Sequence, residues 1–413
     1  EGAITGDGTL AVAGGTAEAP VDLSKATSIG VEVQVNKGAF LAGDLAGFAA
    51  KGITGQEGAT AANAGTVVIN AASEAGTTAV SGVKVEIASE GNLKVAQDTF
   101  MADGSFNPLA LSGDGKLTIT SALDLSGAAY ATGSFFGDLT VIDTAGITLG
   151  KANSGMTMKV GAGTSVTANL DAAGAGTYDF SKITKGEGAD GTFNLALDDE
   201  AAQTVTLSGM NDVVTFTSTA TDKASTVSGW AEGDKIGTAS GSSFNGFSYE
   251  DALSDPVTAA IAVDAFKADS NNSNKFTATY DKFTTLADNG IYNITATGVT
   301  VAKDAGATIA EFFAVPTGYT VTNASGTATI VGGTTAPKAD VTIGTLGIGS
   351  GESAILAIAI DEANTGFWLV NDTGDGSGGS SDGKITSDEV SLLGVVDGLA
   401  VGDVAAGTFA AGA

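Results

Sequence analysis

Short runs in which apolar and polar residues alternate recur along the first 235 or so residues, with Gly, Asp, Asn or Ser between them. Such a run fits a β-strand with one buried face, because successive side chains of a strand point to opposite sides. Runs spaced by roughly 8–12 residues are typical of β-sandwiches and of stacked β-solenoids. The chain is therefore expected to be mainly β, with a β-solenoid or β-sandwich-like N-terminal region followed by smaller β-rich domains with a few short helices. The clearest runs are LTIT (117–120), LTVI (139–142), ITLG (147–150), MTMKV (156–160), TFNLAL (192–197), TVTLSG (204–209) and DVVTFTS (212–218).

Two stretches of this region look like copies of one another. TGDGTLAVAGGTAEAPVDLSKA (5–26) and SGDGKLTITSALDLSGA (112–128) share G-D-G-x-L followed by D-L-S, and YDFSKIT (178–184) resembles the second half. Repeats that each supply one strand layer bury their apolar faces by stacking, so they need neighbours to be stable. The pattern indicates internal repetition, although a chain rich in Gly, Thr and Ala also produces chance matches.

Beyond this region two stretches carry helix signals. DPVTAAIAVDAFK has Pro in the first turn and apolar residues at a spacing of four, which predicts a helix over 256–267. DAGATIAEFFAVP (304–316) has an apolar face and ends at a Pro, which predicts a second short helix. We therefore divide the chain into a repetitive β-rich region (1–235), a mixed β domain with short helices (236–332) and a C-terminal β domain with an acidic loop (333–413).

The chain lacks the side chains that most enzymes use. It has no Cys and no His, and all 18 basic residues are Lys. A Ser-His-Asp or Cys-His nucleophile and the common zinc sites therefore cannot be built. The acidic groups Asp361/Glu362 and Asp198/Asp199/Glu200 are sequence neighbours, which rarely face one glycosidase pocket from opposite sides. We expect a protein that is not an enzyme.

The net charge of −29 limits the partners. Nucleic-acid affinity comes largely from Lys and Arg that displace counterions, so nucleic acid is rejected as a partner. The charge attracts divalent cations, and carboxylate oxygens favour Ca²⁺ over softer metals. The sequence contains no apolar run of about 18 residues, the length that a membrane-spanning helix needs. The chain starts at Glu1 without Met or an apolar leader. We therefore expect that a targeting segment either was removed or never stood at this end.

The stretch NDTGDGSGGSSDGKITSDEV (371–390) carries oxygen-bearing side chains at short intervals. An EF-hand-like loop has ligands at positions 1, 3, 5, 7, 9 and 12 and a Gly at position 6. With Glu389 at position 12, Asp382 and Gly383 occupy positions 5 and 6, but Gly378 stands at position 1. If residues 377–383 are instead treated as an insertion, more positions carry ligands, but the loop must then be assembled from the two stretches on either side of the insertion. The predicted Ca²⁺ ligands are Asn371, Thr373, Asp375, Asp382, Asp388 and Glu389.

Two other interpretations of acidic turns stay open. The 371–390 stretch is also compatible with a solvated turn in which Asp388 or Glu389 lies near a helix N-terminus, where negative charge is favourable. The G-D-G turns at Asp7 and Asp114 are weaker metal candidates, because Asp beside Gly is ordinary turn chemistry.

Two segments resemble secreted proteins of the calcium-binding RTX type, some of which are surface-layer proteins. NDVVTFTSTATDKASTVSGWAEGDKIGT (211–238) is similar to their N-D-x-[VI]-x-[FL] run, and FWLVNDTGDG (367–376) with DGKITSDEVSLLGVVDGLAVGDV (382–404) is similar to their C-terminal unit. The resemblance implies a Gram-negative surface protein that folds in external calcium. The nonapeptide G-G-x-G-x-D-x-U-x array is absent, so isolated sites are expected instead of a regular calcium β-roll.

Taken together, the sequence predicts a structural protein of the cell surface: an S-layer or extracellular filament subunit whose folding or assembly Ca²⁺ promotes. Its expected partner is another copy of itself, with cell-surface polysaccharide as a further candidate, and its N-terminal AITGDGTLAV (3–12) is a candidate strand for donation to a neighbour. The alternative is a non-enzymatic adhesin or binding module of a larger type I-secreted protein. Trp230 and Trp368 are its candidate ligand contacts, although core positions suit them better.

Overall fold

The structure is a computed structural model of the 413-residue chain. It forms two compact units: Glu1–Asn169, Tyr178–Asn194 and Ser208–Asp212 make unit 1, and Leu170–Thr177, Leu195–Leu207 and Val213–Ala413 make unit 2. The structure describes residues 2–23, 26–42, 52–75, 79–96, 106–127, 135–143, 145–186, 188, 190–217, 221–237, 243–244, 247–248, 260–261, 266–267, 277–280, 284–294, 301–314, 319–324, 327–332, 342–344, 346–372 and 385–410.

Most strands in the first half of the chain are two to four residues long, because glycines and polar turns interrupt the alternating runs. They are β1 (Gly2–Ile4), β2 (Thr9–Val12), β3 (Val21–Asp22), β4 (Ala26–Ile29), β5 (Glu32–Val35), β6 (Phe40–Ala42), β7 (Ile53–Gly55), β8 (Thr66–Ile69), β9 (Ala72–Glu74), β10 (Val80–Ser81), β11 (Lys84–Ile87), β12 (Asn92–Val95), β13 (Phe106–Asn107), β14 (Ala110–Gly113), β15 (Lys116–Ile119), β16 (Leu123–Asp124), β17 (Thr140–Asp143), β18 (Ile147–Leu149), β19 (Met158–Val160), β20 (Val166–Asn169), β21 (Gly176–Asp179), β22 (Ile183–Lys185) and β23 (Thr192–Ala196).

Among the described residues, the second half contains the longest strands and the one α-helix. The strands are β24 (Gln203–Thr206), β25 (Asn211–Thr215), β26 (Ser225–Ser228), β27 (Lys235–Gly237), β28 (Ser243–Phe244), β29 (Phe247–Ser248), β30 (Ala260–Ile261), β31 (Phe266–Lys267), β32 (Thr277–Tyr280), β33 (Thr284–Thr285), β34 (Gly290–Ile294), β35 (Tyr319–Ala324), β36 (Thr327–Gly332), β37 (Thr342–Ile343), β38 (Leu346–Gly347), β39 (Ser353–Ala359), β40 (Asn364–Asn371) and β41 (Val390–Asp397). The helix α1 is Gly306–Ala310, and 3₁₀ turns lie at Lys151–Asn153, Thr221–Lys223, Glu311–Phe313, Ser387–Glu389, Val401–Asp403 and Ala406–Thr408.

Unit 1 is built from parallel sheets to which the chain returns in order. One sheet runs β13-β10-β7-β5-β2, a second runs β14-β11-β8-β6-β3, and a third runs β22-β19-β17-β15-β12-β9. The pairing keeps equivalent residues in register: Leu93 lies opposite Leu117, and Leu117 opposite Val141. These three side chains are fully buried. Alternation within each strand thus becomes a continuous apolar row across strands.

Close approach between neighbouring strands explains several glycines of unit 1. A Cβ added at Gly55, the last residue of β7, would lie 1.8 Å from the carbonyl oxygen of Gly82. Gly82 itself has φ +69°, a conformation that L side chains rarely adopt. Substitution at Gly55 therefore forces these two backbone segments apart.

Unit 2 contains the sheet with the longest strands. β24, β26, β41, β40, β39, β34 and β30 follow one another in it. β41 pairs in parallel with β26, whereas β40 pairs antiparallel with both β39 and β41. The buried cluster beneath them contains Trp368 and Leu356 of the sheet together with Ile309 of α1.

The expectation of a mainly β chain is confirmed. Each of the seven runs singled out above overlaps one strand, with ends that agree to within three residues: β15, β17, β18, β19, β23, β24 and β25. The two G-D-G-x-L copies lead into strands of different sheets, β2 and β15. The division at residues 235 and 332 stays a prediction.

One of the two predicted helices is wrong. Within 256–267 the described residues form β30 and β31, and the rest of that span lies outside the described residues. β30 pairs in parallel with β34, so tertiary pairing outweighs the local spacing-of-four pattern. The other predicted helix is confirmed over its described part, as α1 followed by the 3₁₀ turn Glu311–Phe313. Among the described residues, no helix has the length and apolarity needed to cross a membrane.

Candidate metal centre

Two turns of unit 2 carry the acidic group with metal-ligating geometry. One follows Leu170, the residue directly after β20, and the other follows Leu197, the residue directly after β23. The first turn needs unusual backbone conformations, since Ala172 and Gly174 have φ +57° and +82°. The Leu170 N–H donates to the Ala196 carbonyl at 2.9 Å, which joins the two segments.

The carboxylates of Asp171, Asp198 and Asp199 meet at these turns. Each offers an oxygen within 4.8 Å of the others. Asp198 is buried, whereas Asp171 and Asp199 are exposed. A site of three carboxylates with two facing solvent is accessible to a cation and rich in the oxygen ligands that hard cations prefer. This triad can hold a metal ion.

Asp198 also has a structural role. Its Oδ2 accepts from the Gly174 N–H at 2.8 Å, and its Oδ1 accepts from the Glu200 N–H at 2.8 Å. A buried carboxylate that binds two backbone N–H groups fixes the turns without any ion. Each oxygen keeps a lone pair, so these bonds are compatible with a metal contact.

The buried side chain of Gln203 forms hydrogen bonds with both of these turns. Its Nε2 donates to the carbonyls of Leu170 and Gly174 at 3.1 and 3.2 Å, and its Oε1 accepts from the Asp198 N–H at 3.2 Å. The Gln203 side chain thus donates two hydrogen bonds and accepts one. Hydrogen bonds that join the two turns therefore hold the backbone that carries the triad.

Lys223 pairs with Glu200 and is also influenced by the charge of Asp199 in the triad. Lys223 Nζ lies 3.0 Å from Glu200 Oε2, and this hydrogen bond raises the pKa of Lys223. Three carboxylates this close together repel one another, and a divalent cation bound between them would reduce that repulsion.

Buried aspartates that bind backbone N–H groups recur elsewhere in the chain. In unit 1, Asp143 is fully buried and accepts from the N–H groups of Leu123 and Ala145 at 2.9 and 2.8 Å. Burial raises the pKa of this carboxyl, although the backbone donors oppose that effect. Asp372 in unit 2 accepts from the Gly351 N–H at 3.1 Å. Acidic residues at turns of this protein thus often accept hydrogen bonds from backbone N–H groups and so hold the turn together.

The predicted calcium loop is described only at its two ends. Thr373, Asp375 and Asp382 lie outside the described residues. Asn371 is the buried last residue of β40. The structure therefore gives no geometry for the loop as a whole, and its calcium site stays a prediction.

At the other end of that loop Glu389 closes a capping box. Its Oε2 accepts from the Thr386 N–H at 2.8 Å and from Thr386 Oγ1 at 3.1 Å. Exposed Asp388 accepts from Ser387 Oγ at 3.3 Å. Buried Glu389 is thus used by the 3₁₀ turn that precedes β41.

Two of the three triad residues were named from the sequence, as glycosidase candidates and not as metal ligands. Asp198 and Asp199 stood out as adjacent acids, but Asp171 did not. The available signal is that Asp171 and Asp198 both follow a Leu directly after a strand, in NLD and ALDD. Recognising the parallel stacking of those strands would have brought the two Leu-Asp turns together.

Comparison of the chain with protein-family models, curated protein sequences and solved structures finds no match.

Proposed function

We propose that the chain is an extracellular structural protein that associates with copies of itself at a cell surface, as an S-layer or filament subunit, and that Ca²⁺ promotes this association. The observation that carries the proposal is an unprotected strand edge at β2. Resemblance to RTX-type proteins and the lack of His, Cys and Arg support a structural role over turnover.

β2 ends its sheet and, among the described strands, pairs with β5 alone. Its sequence TLAV contains no charge and no Pro, the devices by which edge strands commonly avoid pairing with other chains. The edge strands β3, β9 and β22 each carry a charged residue (Asp22, Glu74 and Lys185), whereas the edge strands β13 and β14, like β2, carry none. β2 is therefore suited to pair with a strand of another copy.

The backbone direction of β2 identifies which groups are available. The Val12 carbonyl accepts from the Asn36 N–H at 2.9 Å, so Val12 faces β5. Because alternate residues of a strand direct their backbone groups to opposite neighbours, Leu10 also faces β5, and Thr9 and Ala11 face the open edge. Ala11 is exposed, so a second strand can reach its N–H.

An edge contact of this kind extends without closing. β13 ends the same sheet at its opposite edge. Pairing of β2 in one copy with β13 in another continues the parallel order, and a head-to-tail contact that does not close produces a filament or lattice.

Calcium enters the proposal through charge. A net charge of −29 opposes close packing of copies, and a divalent cation bound to carboxylates reduces that repulsion. The triad of Asp171, Asp198 and Asp199 has the oxygen chemistry that Ca²⁺ uses, and the loop at 371–389 is a second candidate site. At about 100 times its dissociation constant, an ion that binds only the folded state stabilises it by about 2.7 kcal/mol.

The test is light scattering and negative-stain imaging in EGTA and then in excess Ca²⁺, with thermal melting on the same samples. We expect ordered assemblies and a higher melting temperature only with Ca²⁺. Asp171→Asn with Asp199→Asn should remove the calcium effect if the triad holds the ion, and Asp375→Ala should remove it if the loop does. Asp304→Asn, an exposed acid outside both sites, is the charge control.

A compact monomer in both conditions contradicts the assembly proposal. That result would favour the binding-module alternative. An unchanged melting temperature on chelation contradicts the calcium part alone.

A further inference from the structure

A cleft of about 580 Å³ opens between two loops of unit 2, and the proposed assembly does not use it. Residues 230–234 form one wall and residues 398–408 the other. An added Cβ at Gly398 would lie 3.9 Å from Trp230 Cβ, which shows that the two loops face each other closely. Side chains that line the cleft include Trp230, Glu232, Asp234, Leu399, Asp403 and Ala405.

The first wall is a locked turn. The Ala231 N–H donates to Asp234 Oδ2 at 2.7 Å, and the Asp234 N–H donates to the Ala231 carbonyl at 3.1 Å. Gly233 supplies the φ of +102° that the turn requires. Trp230 and Glu232 are therefore presented from a fixed backbone.

The second wall is anchored to the sheet behind it. Asn293 Nδ2 donates to the carbonyls of Val401 and Val404, and Thr365 Oγ1 donates to the Leu399 carbonyl at 2.6 Å. Past the cleft the Ala410 N–H donates to the Ile236 carbonyl at 2.9 Å. With both walls held, the cleft exists before any ligand arrives, which lowers the cost of binding.

The lining combines three carboxylates with an indole and small apolar groups. Glu232 and Asp403 are exposed, Asp234 is buried, and Trp230 is half-buried. Among the described lining residues there is no Lys to neutralise them. The field in the cleft is therefore negative, and a Trp within it adds an aromatic face that attracts cations.

We propose that this cleft binds a small quaternary ammonium compound. The positive charge contacts the indole of Trp230 and the carboxylates of Glu232 and Asp403. The methyl groups pack on Leu399 and Ala405, which a metal ion or a strongly hydrated primary amine would not use. Ca²⁺ requires six to eight oxygen ligands, which suits this partly apolar lining less well.

The test uses choline and its neutral isostere 3,3-dimethylbutan-1-ol with protein labelled with ¹⁵N at tryptophan, in EGTA. The chain has two Trp residues, and Trp368 is 1% exposed in the core, so its indole N–H signal is an internal control. Trp230→Phe assigns the two signals. Choline should shift the Trp230 signal saturably and leave that of Trp368 unchanged, and the neutral isostere should shift neither.

Charge variants then locate the site. Glu232→Gln and Asp403→Asn should each weaken choline binding about two- to fivefold, the range of an exposed cation contact. Asp304→Asn removes the same charge outside the cleft and should change binding little. No saturable shift of Trp230, an equal response to the neutral isostere, or an equal loss in Asp304→Asn would overturn the proposal.

Discussion

The strands β2 and β40 show two ways in which this chain stabilises a strand. β2 has four residues, one neighbour among the described strands and a single buried side chain, Val12. β40 has eight residues, lies between β39 and β41, and buries every residue except Asn364, which is half-buried. The difference indicates that a strand at the edge of a parallel stack depends on its next neighbour, whereas β40 depends on a shared core.

The largest expected effect lies in that core. Trp368→Ala removes a fully buried indole from the cluster of unit 2 and should lower the free energy of unfolding by about 3–5 kcal/mol. Leu10→Ala in β2 removes a half-buried side chain and should cost less than about 1.5 kcal/mol. Chemical denaturation of both variants measures the contrast. Equal losses would mean that the edge is as well packed as the core.

A smaller loss of stability is expected from a substitution at Gly55 in unit 1, where two backbone segments lie close together. Gly55→Ala places a methyl group 1.8 Å from the Gly82 carbonyl oxygen and should destabilise by about 1–3 kcal/mol. Gly8→Ala is the matched control, because nothing lies within 4 Å of its added Cβ. Thermal melting should separate the two. A neutral Gly55→Ala would show that the two backbone segments are not tightly stacked.

A pH-dependent effect should distinguish fully buried Asp143 from half-buried Asp179, both in unit 1. Burial raises the pKa of Asp143 above its usual value of 3.8, so the stability that its protonation contributes is present below that value and is lost as the pH rises through the raised pKa. Asp143→Asn, which cannot ionise, should therefore gain stability relative to the unsubstituted protein as the pH rises from about 3 to 7.

Asp179 gives the control of opposite sign. Hydrogen bonds from Ser181 lower the pKa of this half-buried carboxyl, so its contribution to stability is present above the usual pKa and is lost as the pH falls through the lowered one. Asp179→Asn should therefore lose stability relative to the unsubstituted protein as the pH rises. Melting temperatures across this pH range test both signs. The same trend in both variants would contradict the assignment.

The sequence predicts strand positions well because alternation and glycine turns are local. The buried rows through Leu117 and Val141 follow directly from the LTIT and LTVI runs. It does not predict which strands are neighbours, because alternation determines only the face of a side chain. The wrong helix at 256–267 and the missed Asp171 share this cause. In the first, pairing of β30 with β34 decides the structure, and in the second, stacking brings together turns that are distant in sequence.

The open edge of β2 provides the most direct test of the account. Ala11→Pro removes an N–H that faces away from β5, so it should block pairing with another copy yet change the free energy of unfolding by less than about 1 kcal/mol. Ala11→Ser keeps the N–H and is the control. The measurement is sedimentation velocity in excess Ca²⁺. We expect large species for the unsubstituted protein and Ala11→Ser and a monomer for Ala11→Pro. Large species in all three would contradict assembly through β2.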